Sequence, residues 1–267
     1  MVSYTLEDLL RIMERLRDPQ TGCPWDIEQD FLSILPSTLE ECYELAEAIE
    51  QGDFDHVEDE LGDVLFQVVF HSQMGSEQGL FDFGSVVNRL AQKLIRRHPH
   101  VFEKGEIEGI VGAQISVAAV KQSWEDIKQQ EREQRSQRGA LADVPRALPA
   151  LPRAQKLQKR AARVGFDWSS AHPVFDKLRE ECLELEEAVD SDIAAHITEE
   201  IGDLLFTCVN LSRHLGVDAE EALRGATRKF ESRFANMEAT ASAEGQTLQT
   251  LDVDALGALW ERAKRIG

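Results

Sequence analysis

The stretch Asp59-Glu60-Leu61-Gly62-Asp63-Val64-Leu65-Phe66 returns 140 residues later as Glu199-Glu200-Ile201-Gly202-Asp203-Leu204-Leu205-Phe206. A second stretch, Glu40-Glu41-Cys42-Tyr43-Glu44-Leu45, returns at the same offset as Glu180-Glu181-Cys182-Leu183-Glu184-Leu185. Segments that recur at one fixed offset indicate an internal duplication. The sequence therefore predicts two copies of one structural unit within 267 residues.

The region between the two copies has the composition of a connector. It contains Gln134-Arg135-Ser136-Gln137-Arg138-Gly139, followed by prolines at positions 145, 149 and 152, and such residues interrupt regular structure. We place the first domain at residues 1–139, the connector at 140–155 and the second domain at 156–267. The basic segment from Arg153 to Arg163 is predicted to be a helix that leads into the second copy.

Apolar residues recur at helical spacing along most of the chain, whereas the alternation typical of strands is scarce. A first amphipathic helix is predicted from Leu6 to Leu16, and Ser37 with Glu40 has the pattern of a capping box that opens the next one. In the first copy, other helices are predicted at about 55–78 and 82–98 and from residue 117. In the second copy, one helix is predicted up to residue 191, and others follow at about 192–215, 218–240 and 252–266. The predicted fold class is all-α.

The chain carries a strong negative charge, with 49 acidic and 29 basic side chains and a formal net charge of -20. Nucleic acid is bound through Lys and Arg, so this balance argues against it as a partner and favours divalent cations. The N-terminus lacks the pattern of a signal peptide and no long apolar run is present, which predicts a soluble, cytoplasmic protein without membrane contact. The four cysteines show no metal-binding spacing and are predicted to be small buried thiols.

The repeated acidic positions have a spacing that suits metal binding. Residues three apart on a helix share a face, so two adjacent antiparallel helices can direct four carboxylates into one pocket. Such carboxylates raise one another's pKa values unless cations neutralise them, and hard oxygen ligands favour Mg²⁺, with Mn²⁺ as a substitute. The candidate metal ligands are Glu41, Glu44, Glu60 and Asp63 in the first copy, and Glu181, Glu184, Glu200 and Asp203 in the second.

A second repeat, at an offset of 136 residues, supplies cations and aromatic rings. Its members pair four residues apart on one helix, which lets both side chains of a pair face the same ligand. Lys and Arg are suited to phosphate oxygens, and an indole is suited to stacking on a base or ribose. The candidate substrate-binding residues are Lys93, Arg97, Trp124 and Lys128 in the first copy, and Lys229, Arg233, Trp260 and Lys264 in the second.

The pattern E-E-x-x-E followed by E-x-x-D, in a helical context, resembles the MazG nucleoside triphosphate pyrophosphohydrolases of the all-α NTP pyrophosphatase superfamily. The tandem arrangement resembles that family too, and it predicts two MazG-like helical-bundle domains. Local matches extend the resemblance over nearly the whole chain. They are Leu16-Arg17-Asp18-Pro19, Gly22-Cys23-Pro24-Trp25-Asp26, Arg96-Arg97-His98-Pro99-His100-Val101-Phe102 and Val164-Gly165-Phe166-Asp167-Trp168.

The resemblance implies hydrolysis of nucleoside triphosphates to the monophosphate and pyrophosphate, by a four-helix module that usually forms a homodimer. It implies that the two acidic quartets bind Mg²⁺, and it makes Glu40 and Glu180 candidates for orienting the attacking water. Nothing in the sequence specifies a base, so broad tolerance of NTPs and dNTPs is expected, with a role in cleansing or controlling the nucleotide pool. The uninterrupted helix that carries Lys229 and Arg233 favours the second copy as the main catalyst.

Three other functions remain open at the level of the sequence. A nucleotide sensor that binds NTP without turnover needs all the same residues and is the main alternative. A di-iron oxidase expects Glu-x-x-His, whereas Asp63 and Asp203 occupy that position here. A helical scaffold with structural cations has no need of the basic and aromatic set.

Overall fold

The computed structural model describes residues 3–108, 116–134 and 139–265, and all the regular secondary structure in these ranges is helical. This agrees with the predicted all-α class. Short 3₁₀ turns lie at Glu103–Gly105 and Leu248–Thr250. The α-helices are α1 (Leu6–Leu16), α2 (Pro24–Glu28), α3 (Leu35–Gln51), α4 (Phe54–Glu77), α5 (Phe83–Arg97), α6 (Val117–Gln134), α7 (Ala150–Arg163), α8 (Ala171–Ser191), α9 (Ala194–His214), α10 (Ala219–Ala243) and α11 (Val253–Ala263).

The chain separates into two compact units, Met1–Lys128 and Gln129–Gly267. The division lies within α6, and α7 begins at Ala150, inside the segment assigned above to the connector. The predicted helix at 153–163 therefore starts three residues earlier and forms part of the second unit. The domain limits themselves, 1–139 and 156–267, stay a prediction.

The first unit is built on a hairpin of α3 and α4, closed by Gly52 in the left-handed conformation with a φ of 71°. Helix α1 packs against α4, and its N-terminus is fixed by a capping box between Thr5 and Asp8. Five fully buried apolar side chains of this unit form one cluster, which stabilises it through apolar burial. They are Met13, Ile34, Val69, Phe70 and Met74.

Arg17 ties the chain between α1 and α2 to helix α4. Its Nε donates to Glu77 Oε1 at 2.9 Å, and its Nη2 donates to Oε2 at 2.7 Å. The guanidinium carbon lies 5.2 Å from the centre of the Phe70 ring, and Nη1 donates to the carbonyls of Asp26 and Gln29. One cation thus fixes the Leu16-Arg17-Asp18-Pro19 segment on the core.

The second unit repeats the hairpin with α8 and α9, and α7 packs against α9. Asp192, with a φ of 55°, closes this hairpin at the position that Gly52 has in the first. Asp tolerates this conformation better than most residues because its side chain can bond locally. Helix α10 contacts α7, α9 and α11, and a separate core cluster joins α10 to α11.

Both hairpins expose apolar residues at positions that obey the 140-residue offset. Large exposed apolar side chains in such numbers indicate a surface that associates with something. The repeated exposed positions are Leu35, Tyr43, Ile49, Leu61 and Leu65 in the first hairpin, and Phe175, Leu183, Val189, Ile201 and Leu205 in the second.

Two local predictions are wrong. The capping box of Ser37 and Glu40 does not form, because α3 has already begun at Leu35. Pro36 lies in the first turn of the helix, where a backbone N–H group has no partner within the helix and proline is therefore tolerated. The cysteines are free but not buried as expected, since three of the four are exposed and Cys23 is intermediate. Among the described helices, none combines the length and the apolar composition that a membrane crossing requires.

Candidate active site

The first carboxylate cluster joins α3 to α4. Glu41, Glu60 and Asp63 each bring a carboxylate oxygen within 4.8 Å of the others. The fourth predicted ligand, Glu44, lies outside this group and borders a surface groove with Glu40 and Tyr43. The structure therefore brings three members of the first quartet together.

The buried member of this cluster, Glu60, has one oxygen occupied and one free. Oε1 lies 2.8 Å from Nε2 of His56, one helical turn away, whereas Oε2 is buried without a hydrogen-bond partner. Desolvation raises the pKa of nearby Glu41, and the charges of Asp63 and Glu44 raise it further. A divalent cation relieves both problems at once, so the donor set fits Mg²⁺ or Mn²⁺.

The second cluster joins α8 to α9 and uses a different three of the four predicted ligands. Glu181, Glu184 and Glu200 have carboxylate oxygens within 4.8 Å of one another, and Asp203 lies outside this group. Desolvation, with the charges of Glu184 and Asp203, raises the pKa of Glu200. Asp203 is thus close enough to act on the cluster electrostatically.

Lys177 is a site residue that the sequence analysis missed. Its Nζ lies 2.7 Å from Glu180 Oε1, 3.1 Å from Glu181 Oε1 and 3.7 Å from Glu184 Oε2. These partners raise the pKa of Lys177, chiefly through the hydrogen bonds to Glu180 and Glu181. The sequence does show a difference between the two copies at this position, since the residue 140 positions before Lys177 is Ser37.

A cavity of about 570 Å³ adjoins the second cluster, and we call it the second-unit cavity. Lys177, Glu181 and Asp203 are among its lining residues. The other residues that line the cavity are mostly apolar, with a few polar side chains among them. These further lining residues include Leu157, Gln158, Phe166, Trp168, Phe206 and Asn210.

The predicted basic and aromatic residues of the first copy lie on α5 and α6. Lys93 is exposed, and Arg97 lies in the last turn of α5. The Trp124 ring packs edge-on against His98, with ring centres 5.0 Å apart, and Lys128 lies one turn further along α6. Their contact with a phosphate or a base stays a prediction.

Their counterparts in the second copy lie on α10 and α11. Lys229 is exposed and Arg233 half-buried on α10, a helix that packs against α9. Trp260 packs against Phe230 with ring centres 5.4 Å apart, and Lys264 Nζ lies 2.5 Å from Glu261. These roles in substrate binding also stay predictions, as do those of Glu40 and Glu180 in orienting water.

A glycine in a helix interior costs about 1 kcal/mol relative to alanine, so Gly62 in α4 and Gly202 in α9 predict that another backbone segment approaches these helices closely. Within the chain this expectation is wrong, because a Cβ added to Gly62 or Gly202 meets no atom within 4 Å. Both helices are open at these points.

The family model of the MazG nucleotide pyrophosphohydrolase domain matches this chain twice, at residues 29–102 and 170–237. The chain belongs to the MazG family. Each MazG match contains one of the two carboxylate clusters. Gln158, Phe166 and Trp168, which line the second-unit cavity, precede the second match.

Relatives of similar length carry the name nucleoside triphosphate pyrophosphohydrolase. The protein of that name from Escherichia coli strain K12 is 49% identical over 265 residues, covering 97% of both chains. A protein from Thermotoga maritima, named nucleoside triphosphate pyrophosphohydrolase/pyrophosphatase MazG, is 47% identical over 258 residues, covering 97% of this chain and 95% of its own. The tandem MazG arrangement is therefore shared over the full length compared.

Proposed function

We propose that this protein hydrolyses nucleoside triphosphates to the monophosphate and pyrophosphate with Mg²⁺, for which Mn²⁺ can substitute. The observation that carries the proposal is the second carboxylate cluster, where three acidic oxygens lie within 4.8 Å of one another beside Lys177, which also lines a cavity of about 570 Å³. Membership of a family of nucleotide pyrophosphohydrolases, with full-length relatives of that name, supports it.

The metal ions belong to the two acidic sets. Glu181, Glu184 and Glu200 would hold one in the second unit, with Asp203 completing the set, and Glu41, Glu60 and Asp63 would do so in the first, with Glu44. The unpartnered, buried Oε2 of Glu60 supports this assignment. A bound Mg²⁺ supplies charge neutralisation for the triphosphate oxygens and lowers the pKa of a coordinated water.

The basic side chains neutralise phosphate charge in this proposal. Lys177 stands at the cluster already and exchanges carboxylate partners for phosphate oxygens when the nucleotide binds. Lys229 and Arg233 approach from α10, and Glu180 accepts a proton from the attacking water once Lys177 has moved away. The overall reaction consumes one water, breaks the anhydride between the α and β phosphates and releases one proton.

The second copy is the main catalyst in this proposal. The first copy has Ser37 where the second has Lys177. The first copy serves mainly the assembly of a homodimer, through the repeated exposed apolar positions of the hairpins. The enzyme tolerates different bases in this proposal. Its role is to cleanse or control the nucleotide pool of the cytoplasm.

The test is incubation of the purified protein with Mg²⁺ and each common NTP and dNTP, with separation of pyrophosphate from orthophosphate. We expect pyrophosphate and monophosphate in equal amounts. Glu200→Gln should lower kcat by about 100-fold or more, and the matched first-copy change Glu60→Gln by less than about tenfold. Tight NTP binding without pyrophosphate release would leave a sensor, and loss of activity in Glu60→Gln alone would reverse the assignment of the copies.

A further inference from the structure

We infer that helix α5 of the first unit docks on the outer face of α3 in a second copy of this chain, and that α5 of the second copy docks on the first in the same way. The inference rests on the proposed function in one respect, the homodimer. It names two surfaces of the first unit that recognise each other, which the repeated exposed positions of the hairpins do not include.

The outer face of α3 combines an apolar groove with acidic side chains. Pro36, Leu39 and Tyr43 follow one another at i, i+3 and i+7, so they share a face, and they line a groove of about 470 Å³. All three residues are exposed. The other residues that line the groove are exposed carboxylates, namely Glu40, Glu44 and Glu47. Such a surface suits an apolar helix that carries positive charge.

Helix α5 presents a surface of that kind. Val87, Leu90 and Leu94 have the same i, i+3, i+7 spacing, and each is 44–47% exposed. No residue of α5, which the structure describes throughout, is buried. An amphipathic helix with an exposed apolar stripe has apolar surface left to bury against a partner. The charged residues of α5 are all basic, namely Arg89, Lys93, Arg96 and Arg97.

The two surfaces are complementary in the sign and the spacing of their charges. The acids of the groove lie at positions 40, 44 and 47, and bases lie on α5 at 89, 93 and 96, so both sets follow i, i+4 and i+7. Opposite charges beside two apolar stripes select a partner and a register. Within one chain α5 packs against α4, and both the stripe and the groove stay exposed. The partner is therefore another copy, and the contact is formed twice about a two-fold axis.

The second unit lacks the apolar part of the groove. At the 140-residue offset, Pro36 and Leu39 correspond to Asp176 and Arg179. These two side chains form an ion pair on α8, with Arg179 Nη1 2.6 Å from Asp176 Oδ1, and both are largely exposed. The corresponding face of the second unit is thus polar.

The second unit also lacks most of the matching positive charge. At the 136-residue offset, Arg89 and Arg96 correspond to Gly225 and Ser232 on α10, so Lys93 alone of the three bases has a basic counterpart. The apolar groove and the full basic helix therefore occur together in the first unit and are reduced together in the second. This is the pattern expected of two surfaces that contact each other.

The experiment measures dimerisation of the full chain by sedimentation equilibrium in two charge-reversed variants, Arg89→Glu and Glu47→Arg. Both residues are exposed, and neither belongs to the proposed metal or substrate sites. Each variant alone places like charges at both contacts of its own dimer, which should raise the dimer Kd by about tenfold or more. An equimolar mixture of the two should dimerise with a Kd within about threefold of the wild type. In the mixed dimer one contact has its charges exchanged and the other is native, so recovery on mixing requires contact between copies.

Glu187→Arg is the matched control, because Glu187 is the exposed counterpart of Glu47 in the second unit. It should leave the dimer Kd unchanged, and it should form mixed dimers with Arg89→Glu no more readily than the wild type does. Leu39→Arg, which introduces the second-unit residue at an exposed position, tests the apolar part and should also raise the dimer Kd by about tenfold. Circular dichroism checks that each variant keeps its helices.

A mixture that dimerises no more tightly than the two variants alone would overturn the inference, as would an unchanged Kd in Arg89→Glu or in Leu39→Arg. If the wild type is still a dimer in that case, the homodimer stands and uses other surfaces. A wild type that is a monomer would overturn the inference and the homodimer together. Sedimentation needs no turnover, so none of these results depends on whether pyrophosphate is released.

Discussion

Lys177 distinguishes the two carboxylate clusters at the level of single residues. Without metal it offsets the charge of three neighbouring carboxylates, and its side chain is 32% exposed. Lys177→Ser, which copies the first unit, should lower Tm in EDTA by about 2–4 °C, equivalent to about 1 kcal/mol. Mg²⁺ should then raise the Tm of the variant more than that of the wild type, as measured by calorimetry.

Arg179→Ser is the control for that comparison. Arg179 pairs with Asp176 on the same helix, but both side chains are largely exposed, and such pairs contribute little. A Tm in EDTA that falls equally in both variants would mean that Lys177 has no special relation to the cluster.

Glu77 makes the stability of the first unit depend on pH. Its hydrogen bonds with Arg17 hold the pKa of Glu77 below the ordinary value of 4.5. The unfolded chain therefore takes up the proton first on acidification, and the stabilisation is present above about pH 5 and lost below it. Glu77→Gln should cost about 1 kcal/mol at pH 7, a figure reduced for a carboxylate that is 34% exposed, and less at pH 3. Urea unfolding at both pH values measures this, and an equal cost at both would contradict it.

At the scale of elements, helix α4 contains two glycines whose replacement by alanine should change the free energy of unfolding in opposite directions. A Cβ at Gly62 meets nothing within 4 Å, whereas one at Gly75 lies 2.6 Å from the Phe81 ring. Gly62→Ala should raise the free energy of unfolding by about 0.5–1 kcal/mol, because alanine loses less backbone entropy in a helix. Gly75→Ala should lower it by about 1–3 kcal/mol through overpacking. Denaturant unfolding of the two variants compares them directly, and a destabilised Gly62→Ala would show that something outside the chain approaches this helix.

Most helices were predictable because their ends are determined locally. Asp53 and Asp82 cap α4 and α5 with their side chains, and Pro99 follows the end of α5. The start of α3 was missed because Pro36 fits a first helical turn as well as it fits a loop. The pairing of α3 with α4 was predictable from the spacing of the acids, but which three acids converge depends on side-chain packing, as does the depth of the second-unit cavity.

At the scale of the whole molecule, the two copies combine a shared hairpin with different interiors. In the first, Phe70 and Met74 belong to the buried core, whereas in the second Asn210, at the position that corresponds to Phe70, lines a cavity, and Lys177 lies at the carboxylates. A duplicated unit can diverge in this way because the hairpin is stabilised by its own buried face. The exposed apolar positions, by contrast, are repeated in both copies, which indicates that association was kept where the interiors diverged.

The repeated exposed positions support the proposed homodimer, and a measurement of its molecular mass in solution tests it. Sedimentation of the wild type at micromolar concentration should give about twice the chain mass of 30.0 kDa. Leu205 is among the repeated exposed positions of the second hairpin, and Leu205→Asp should shift the protein towards the monomer, because a desolvated unpaired carboxylate at an interface costs several kcal/mol. Val253→Asp, at a more exposed apolar residue at the start of α11, should leave the dimer intact. A wild type that sediments as a 30.0 kDa monomer would remove the homodimer and require another partner for the hairpin faces.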